Sequence, residues 1–250
     1  MPSEIVPNAG LYLYLPLAVL ICSIVQSLVG VGLLLFGTPT LLLLGMEFGE
    51  TLAVLLPCSV TVNLCQLHGG LPCNKQAILR IARITLPMIF LGLLTTLWGM
   101  DTRWMPIVVG FALLGLGVLR LSSRALAWLN RVVASYQNTY LAVMGLAHGL
   151  SNMGGGLLVV YAGTLSDDKE EIRRTIALGY LAFALTQLAT LAINQPQLFH
   201  TGNLCLPVIS LLSYLAGNRL FQHLSTAHFG RLVTGLVLTY GVVTVGKALG

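Results

Sequence analysis

Residues 145–163 read GLAHGLSNMGGGLLVVYAG and lie in the middle of a very apolar chain. The stretch contains three consecutive glycines, Gly154, Gly155 and Gly156. They favour a break in regular helix, because glycine loses more backbone entropy on ordering than any other residue. Three polar, formally uncharged side chains precede them: His148, Ser151 and Asn152. A break at membrane depth persists only where it is packed in protein or lines a cavity, so it marks a candidate binding site.

The composition indicates a polytopic membrane protein. Of the 250 residues, 56% are hydrophobic and only 8% are charged, and the mean hydropathy is +0.87. Soluble domains carry about 25% charged residues. The basic region of a cleavable signal is missing, since Glu4 and no Lys or Arg precede the apolar run from Leu11. The net charge of +5 comes from short loops, so topology explains it and no nucleic-acid partner is expected.

No pattern typical of catalytic or metal-ligating residues is visible. The five cysteines form no CxxC pair and no metal spacing, so they are expected to be buried apolar thiols. There is no HExxH motif, no carboxylate pair within an apolar segment, and no recognisable Ser and His triad. We therefore expect neither an enzyme nor a resident cofactor or metal.

The order of segments repeats once along the chain. Each half reads as a helical hairpin broken by glycine, followed by three apolar helices. Matched positions pair Gln26 with His148, Gly30 with Asn152, Gly32 with Gly154, and Asn63 with Gln187. The predicted organisation is a first repeat over residues 1–121, a basic cytoplasmic linker over 122–137, and a second repeat over 138–250.

The placement of basic residues predicts the orientation of the two halves. If the N-terminus lies outside and each hairpin enters and leaves on one side, every Lys and Arg except Arg103 and Lys247 lies inside. This agrees with the positive-inside rule. Both termini are then outside, and the 68–83 loop, the 120–137 linker and the 166–174 loop are inside. The repeats are therefore inverted, as in many secondary transporters that bind substrate near the midplane.

The length of the second hairpin predicts a re-entrant structure. It is confined to residues 140–165, whereas two full crossings need about 40 residues, at ~20 each. The first hairpin, residues 11–44, has room for one long arm. The expected fold class is an all-α polytopic membrane protein with two inverted repeats, each a glycine-broken, re-entrant helical hairpin plus three transmembrane helices.

The meeting point of the two breaks is the predicted substrate site. A helix that restarts after a break presents free N–H groups and the positive end of its dipole, which favour an anion. Glycine lets the backbone approach the ligand, and neutral side chains can donate hydrogen bonds. The candidate substrate-binding residues are Ser27, Gly30, Gly32, Thr38, Asn63, His148, Ser151, Asn152, Gly154, Gly155, Gly156 and Gln187.

Structural roles are open alternatives for the same residues. The glycines are also typical of close helix packing in membranes, and Asn63 and Gln187 of interhelical hydrogen bonds. His148 is the one ionisable residue of the central stretch. As a neutral side chain it would only form hydrogen bonds; as a cation it would pair with an anion or carry a coupled proton.

The two glycine-rich elements resemble those of the TauE/SafE, or sulfite exporter, family. They read SLVGVGLLLFGTPTLLLLG at residues 27–45 and GLAHGLSNMGGGLLVVYAG at residues 145–163, each followed by a helix. The resemblance covers essentially the whole chain. It implies transport of small sulfur-containing or organic anions such as sulfite, thiosulfate or sulfonates, with direction and substrate differing among members.

The leading interpretation is a secondary transporter of small anions in the bacterial inner membrane. A passive anion channel would need a continuous polar lining, which the few polar residues of the helices do not supply. A membrane-embedded enzyme and a scaffold are weaker alternatives, because neither needs two matched polar breaks. The expected partners are a small anion and the lipid bilayer, and a coupled proton and a homodimer are left open.

Overall fold

A computed structural model describes residues 9–99, 105–152, 154–166, 168–223, 234–235, 237–243 and 245–246. Within these ranges the chain is almost entirely helical and contains no β-strand. The predicted all-α membrane class is thereby confirmed. Part of the predicted topology depends on the two chain termini and on Arg103 and Lys247. All of these lie outside the described residues.

The helices follow the segment order expected from the sequence. The first half contains α1 (Ala9–Val29), a π-helical turn (Leu33–Gly37), α2 (Thr38–Leu43), α3 (Phe48–Leu67), α4 (Lys75–Arg80), a second π-helical turn (Ile81–Thr85), α5 (Leu86–Trp98) and α6 (Met105–Leu121). The second half contains α7 (Ser123–Ser135), α8 (Gln137–Ser151), α9 (Gly155–Leu165), α10 (Lys169–Asn194), two 3-10 turns (Pro196–Leu198, Thr201–Cys205) and α11 (Leu206–His223). The described residues between 234 and 246 are helical as well.

Polar side chains fix where two of the helices begin. Asn74 accepts a hydrogen bond of 3.0 Å from the backbone N–H of Ala77 at the start of α4. Asp168 accepts one of 3.0 Å from the N–H of Glu170 at the start of α10. Such N-caps satisfy donors that have no partner inside the helix. Acidic residues in the first turn of α10 also stabilise the positive end of its dipole.

Two segments predicted as loops are largely helical. The span Lys75–Trp98 is one continuous helix, so the loop after α3 covers only residues 68–74, and Arg80 and Arg83 stand on the helix. The predicted linker over residues 122–137 contains the amphipathic helix α7, whose N-cap Ser122 accepts a hydrogen bond from Ala125. Basic and polar residues lowered the average hydropathy of both segments, although their apolar residues keep a helical spacing.

Three described helices are long and apolar enough to cross a membrane: Phe48–Leu67, Lys75–Trp98 and Glu170–Asn194. A fourth span is reached if α6 and α7 are taken together, and these two helices meet at 95°. The arms of the second hairpin are shorter. Helices α8 and α9 have 15 and 11 residues. They rise about 22 Å and 16 Å, whereas the hydrocarbon core is ~30 Å thick.

Corresponding helices of the two halves make corresponding contacts. Helix α1 lies parallel to α11, since Ser23 donates a hydrogen bond of 2.9 Å to Ser210 and Ser27 packs on Gly217 farther along both helices. Helix α8 lies parallel to α5. Their contact is close enough that a Cβ added at Gly92 would come within 2.9 Å of the carbonyl oxygen of Leu146. Small residues thus let the backbones approach, as is usual in membrane bundles.

Helices α3 and α10 occupy the centre and run antiparallel to each other. Gly49 at the start of α3 faces Leu198, which follows the end of α10. Gly70, just after α3, faces Arg174 near the start of α10. Each of these two helices follows the broken hairpin of its own half of the chain.

Candidate functional site

The two hairpins break with the same backbone geometry. At the end of α1, the N–H of Gly30 donates a hydrogen bond of 2.7 Å to the carbonyl of Gln26, and Gly30 has φ +83°. At the end of α8, the N–H of Asn152 donates one of 2.7 Å to the carbonyl of His148, and Asn152 has φ +61°. These four residues are the pairs matched in the sequence repeat.

The second break lies earlier than the glycine run suggested. Helix α8 ends at Ser151, and α9 begins at Gly155. Among the described residues, Asn152 is the one non-glycine residue with a positive φ. Asparagine tolerates this conformation better than most residues do. Gly155 and Gly156 are therefore helical, and the left-handed residue is Asn152, with Gly154 as the N-cap of α9.

The polar side chains at the first break bond to one another. The amide nitrogen of Gln26 donates to Asn63 Oδ1 at 3.1 Å and to Ser59 Oγ at 3.3 Å, and Asn63 Nδ2 donates to the same Ser59 oxygen at 3.2 Å. The side-chain oxygen of Gln26, Oε1, accepts a hydrogen bond of 3.0 Å from the backbone N–H of Leu33. This buried network satisfies its own donors and acceptors.

The polar side chains at the second break do not form such a network. The imidazole of His148 is fully buried, and neither of its nitrogens has a hydrogen-bond partner within the part of the chain that is described. The amide of Gln187 lies close enough to the imidazole to interact with it, but no hydrogen bond of ordinary geometry joins the two side chains. Neither its oxygen nor its nitrogen has a partner, and the hydroxyl of Tyr180 has none either. Buried polar groups without partners are costly, and they are an expected feature of ligand sites.

Aromatic side chains from α10 enclose His148. Its ring centroid lies 4.9 Å from that of Phe183 and 5.9 Å from that of Tyr180. Because Tyr180, Phe183 and Gln187 are spaced three and four residues apart, they share one face of α10. We call His148, Asn152, Tyr180 and Gln187 the second-break cluster.

Asn152 connects this cluster to the first hairpin. Its amide nitrogen donates a hydrogen bond of 2.8 Å to the hydroxyl of Thr38, the first residue of α2, while its carbonyl oxygen has no partner among the described residues. Of the predicted site residues, Thr38 and Asn152 are therefore in direct contact across the two halves.

Other predicted residues form their hydrogen bonds locally instead. The hydroxyl of Ser27 donates to the carbonyl of Ser23 at 2.7 Å, and that of Ser151 donates to Ala147 at 2.7 Å, each one turn back in its own helix. Gly32 lies against the backbone of α1, where a Cβ would collide with Gln26. These residues shape the breaks from within each hairpin.

Two glycines of the central run make room for the second-break cluster. A Cβ at Gly154 would come within 2.5 Å of the Cβ of His148, and one at Gly155 would collide with the hydroxyl of Tyr180. Gly156 is buried in the first turn of α9. The sequence predicts that the backbone of Gly155 meets a ligand. The structure adds a packing role, because the hydroxyl of Tyr180 occupies the space that a side chain at residue 155 would need.

Sequence reasoning did not single out Tyr180. It lies in an apolar helix, where a tyrosine is easily read as packing or as an interfacial anchor. Its position seven residues before Gln187 would have placed both on one helical face, and this was the available signal.

The arrangement suits a small anion. Helix α9 starts beside the cluster, so its first N–H groups and its dipole present positive potential there. Tyr180 and Gln187 add neutral hydrogen-bond donors. His148 is the one side chain of the cluster whose free pKa lies near neutral pH. Lys, Arg, Asp and Glu are absent from the cluster.

Comparison with known proteins identifies the family of the chain. The family model described as Sulfite exporter TauE/SafE matches residues 15–244. No curated protein and no solved structure matched the chain. The family match confirms the resemblance carried by the two glycine-rich elements.

Proposed function

Because the chain belongs to the sulfite exporter TauE/SafE family, we propose that it is a secondary transporter of small sulfur-containing or organic anions, of the sulfite, thiosulfate and sulfonate class. Family membership supports a multi-pass membrane transporter rather than an enzyme. The bacterial inner membrane is its proposed location, with a proton as the proposed coupling ion.

The observation that carries this proposal is the set of buried polar atoms without partners at the second break. His148 and Gln187 leave four side-chain nitrogen and oxygen atoms unsatisfied, counted over the described residues. An oxyanion would accept hydrogen bonds from the Gln187 amide, the Tyr180 hydroxyl and the N–H groups of α9. Since such groups cost about 1–3 kcal/mol each when left unpaired, a ligand that satisfies them binds with a corresponding gain.

We further propose that the two halves are inverted repeats with the substrate site between their breaks. The antiparallel course of α3 and α10 supports this, because these helices occupy matched positions. The identical cap bonds at Gly30 and Asn152 support it as well. In such a transporter, rocking of one repeat against the other exposes the site alternately to each side.

Reconstitution tests the proposal. Purified protein in liposomes should take up radiolabelled sulfite or thiosulfate faster than protein-free liposomes, and Gln187→Leu should abolish most of this uptake. The matched control is Thr190→Val on the same helix, since its buried hydroxyl bonds to its own helix at Thr186. Uptake by Gln187→Leu at the wild-type rate would exclude the second-break cluster as the substrate site.

The ligand class can be measured independently of transport. Sulfite, thiosulfate, taurine, isethionate and simple carboxylates should be compared by thermal shift of the purified protein. A ligand present at 100 times its Kd stabilises the folded state by ~2.7 kcal/mol. Stabilisation by carboxylates and not by sulfur oxyanions would contradict the proposed class.

A further inference from the structure

A cavity opens where the end of α3 lies beside the start of α10. Its volume is about 540 Å³, in the range of small-molecule sites. The polar residues of its wall are Cys65, Gln66, His68, Arg173, Tyr214 and Asn218. None of them belongs to the second-break cluster.

Arg173 brings a positive charge to this cavity. Its guanidinium donates a hydrogen bond of 3.3 Å to Asn218 Oδ1 and one of 3.4 Å to the carboxylate of Glu170. The side chain of Glu170 is 39% exposed and that of Arg173 only 15%, so solvent screens the carboxylate more than the guanidinium. Arg173 lines the cavity and Glu170 does not, so an anion in the cavity would meet the guanidinium.

The cavity also touches the first break. A Cβ at Gly30 would lie 3.9 Å from Cγ of Arg173. The amide nitrogen of Gln66 donates a bond of 2.9 Å to the carbonyl of Gln26, and Gln66 Oε1 is buried without a partner among the described residues. Gln66 thus connects the cavity wall to the backbone of Gln26, whose side chain belongs to the network with Ser59 and Asn63.

We propose that this cavity is a second binding site for small sulfur oxyanions, which they occupy on their way to or from the two breaks. Guanidinium groups pair with oxyanions through two parallel N–H donors, and the neighbouring Asn218 amide supplies another. The role on the transport path rests on the function proposed above, whereas binding in the cavity does not.

Cys65 is a natural probe of this charge, because it lies on the cavity wall and is partly exposed. In full-length protein with the other four cysteines replaced by alanine, an anionic methanethiosulfonate should label Cys65 faster than its cationic analogue. Arg173→Gln should lower the ratio of the two rates about 25-fold, because one charge at ~4 Å in water changes each rate about fivefold and in opposite directions, and Arg173→Lys should preserve the ratio. A protein with Cys205 as its single cysteine is the control, since Cys205 is exposed at the other end of α11.

Ligand protection tests binding itself. Sulfate and isethionate, which do not react with thiols, should slow modification of Cys65 by neutral N-ethylmaleimide in a saturable way, compared with chloride at equal ionic strength. Arg173→Gln should lose this protection, and Arg173→Lys should retain it. Protection of Cys65 together with no transport in liposomes would support the cavity site and count against the proposed function. Absence of protection by both anions, or full protection in Arg173→Gln, would overturn the proposal.

Discussion

The side-chain amide of Asn152 donates a hydrogen bond of 2.8 Å to the hydroxyl of Thr38, 114 residues earlier in the chain. Both side chains are fully buried. The bond joins the left-handed residue of the second break to the first residue of α2. Separating the two side chains would leave a buried donor and acceptor without partners, at a cost of about 1–3 kcal/mol each. The bond therefore holds the two breaks together.

Substitutions of Asn152 should separate its two roles. Asn152→Gly keeps the positive φ and loses the bond to Thr38, whereas Asn152→Ala loses the bond and also strains the backbone by roughly 1–2 kcal/mol. The expected order of thermal stability is wild type, then Asn152→Gly, then Asn152→Ala. Scanning fluorimetry of the purified proteins measures it. A double-mutant cycle with Thr38→Val isolates the bond, and equal stability of the two Asn152 variants would refute the backbone argument.

Gly155 and Gly163 on α9 should respond in opposite ways to alanine. A Cβ at Gly155 would collide with the hydroxyl of Tyr180, whereas nothing lies within 4 Å of one at Gly163. We expect Gly155→Ala to lower the unfolding temperature. Gly163→Ala should raise it or leave it unchanged, since alanine in a helix gains roughly 0.5–1 kcal/mol over glycine.

A second variant checks that the collision with Tyr180 is the cause. Tyr180→Leu should restore part of the stability of Gly155→Ala, because the smaller side chain leaves room for the Cβ. Failure of Tyr180→Leu to restore any stability would mean that the strain at Gly155 arises elsewhere.

The two polar networks should differ in what their loss costs. Asn63→Leu removes a partner of Gln26 from a satisfied network, so it should destabilise the protein by about 1–3 kcal/mol. Gln187→Leu removes an amide that has no partner in the described structure, so stability should hold or rise while anion binding is lost. Thermal unfolding without ligand and ligand-induced shifts measure the two effects. A large loss of stability in Gln187→Leu would show that its amide is bonded in the protein without ligand.

The helical class, the order of the segments and the two breaks could be predicted from the sequence. They depend on hydropathy and on glycine, which act over a few neighbouring residues. The pairing of His148 with Gln26, and of Asn152 with Gly30, was also visible, and the cap bonds agree with it.

Contacts between distant segments could not be predicted. The bond from Asn152 to Thr38 and the packing of Tyr180 on Gly155 depend on how α2, α9 and α10 meet in space. Asn152 was predicted as a hydrogen-bond donor and the break was assigned to the glycines that follow, whereas the residue with the left-handed backbone is Asn152. Asparagine adopts that conformation at modest cost, so composition alone placed the break two residues late.

The sidedness of α7 is a topological prediction. This helix turns by 95° from α6, is amphipathic, and exposes Trp128. A helix of this kind lies in the membrane interface, and its Arg124 and Arg131 place it inside under the positive-inside rule. Trp128→Cys in a cysteine-free protein should react with an impermeant thiol reagent only after the cells are opened. Labelling of intact cells would reverse the proposed orientation.

The last prediction concerns the pH dependence of anion binding. The second-break cluster contains one side chain whose free pKa lies near neutral pH, His148, whereas the free pKa of tyrosine is about 10. A protonated imidazole attracts an anion, so affinity should rise as the pH falls, and by linkage the anion should increase proton uptake to the same extent. His148→Gln resembles Gln26 at the matched position and retains hydrogen-bonding capacity. It should bind the anion with an affinity that does not change with pH, whereas the wild-type affinity should rise as the pH falls below ~6.5, the ordinary pKa of histidine. Affinity for isethionate, a fully ionised sulfonate throughout this range, is the measurement to compare in the two proteins. Equal slopes would show that His148 is a structural residue and that any proton coupling arises outside the cluster.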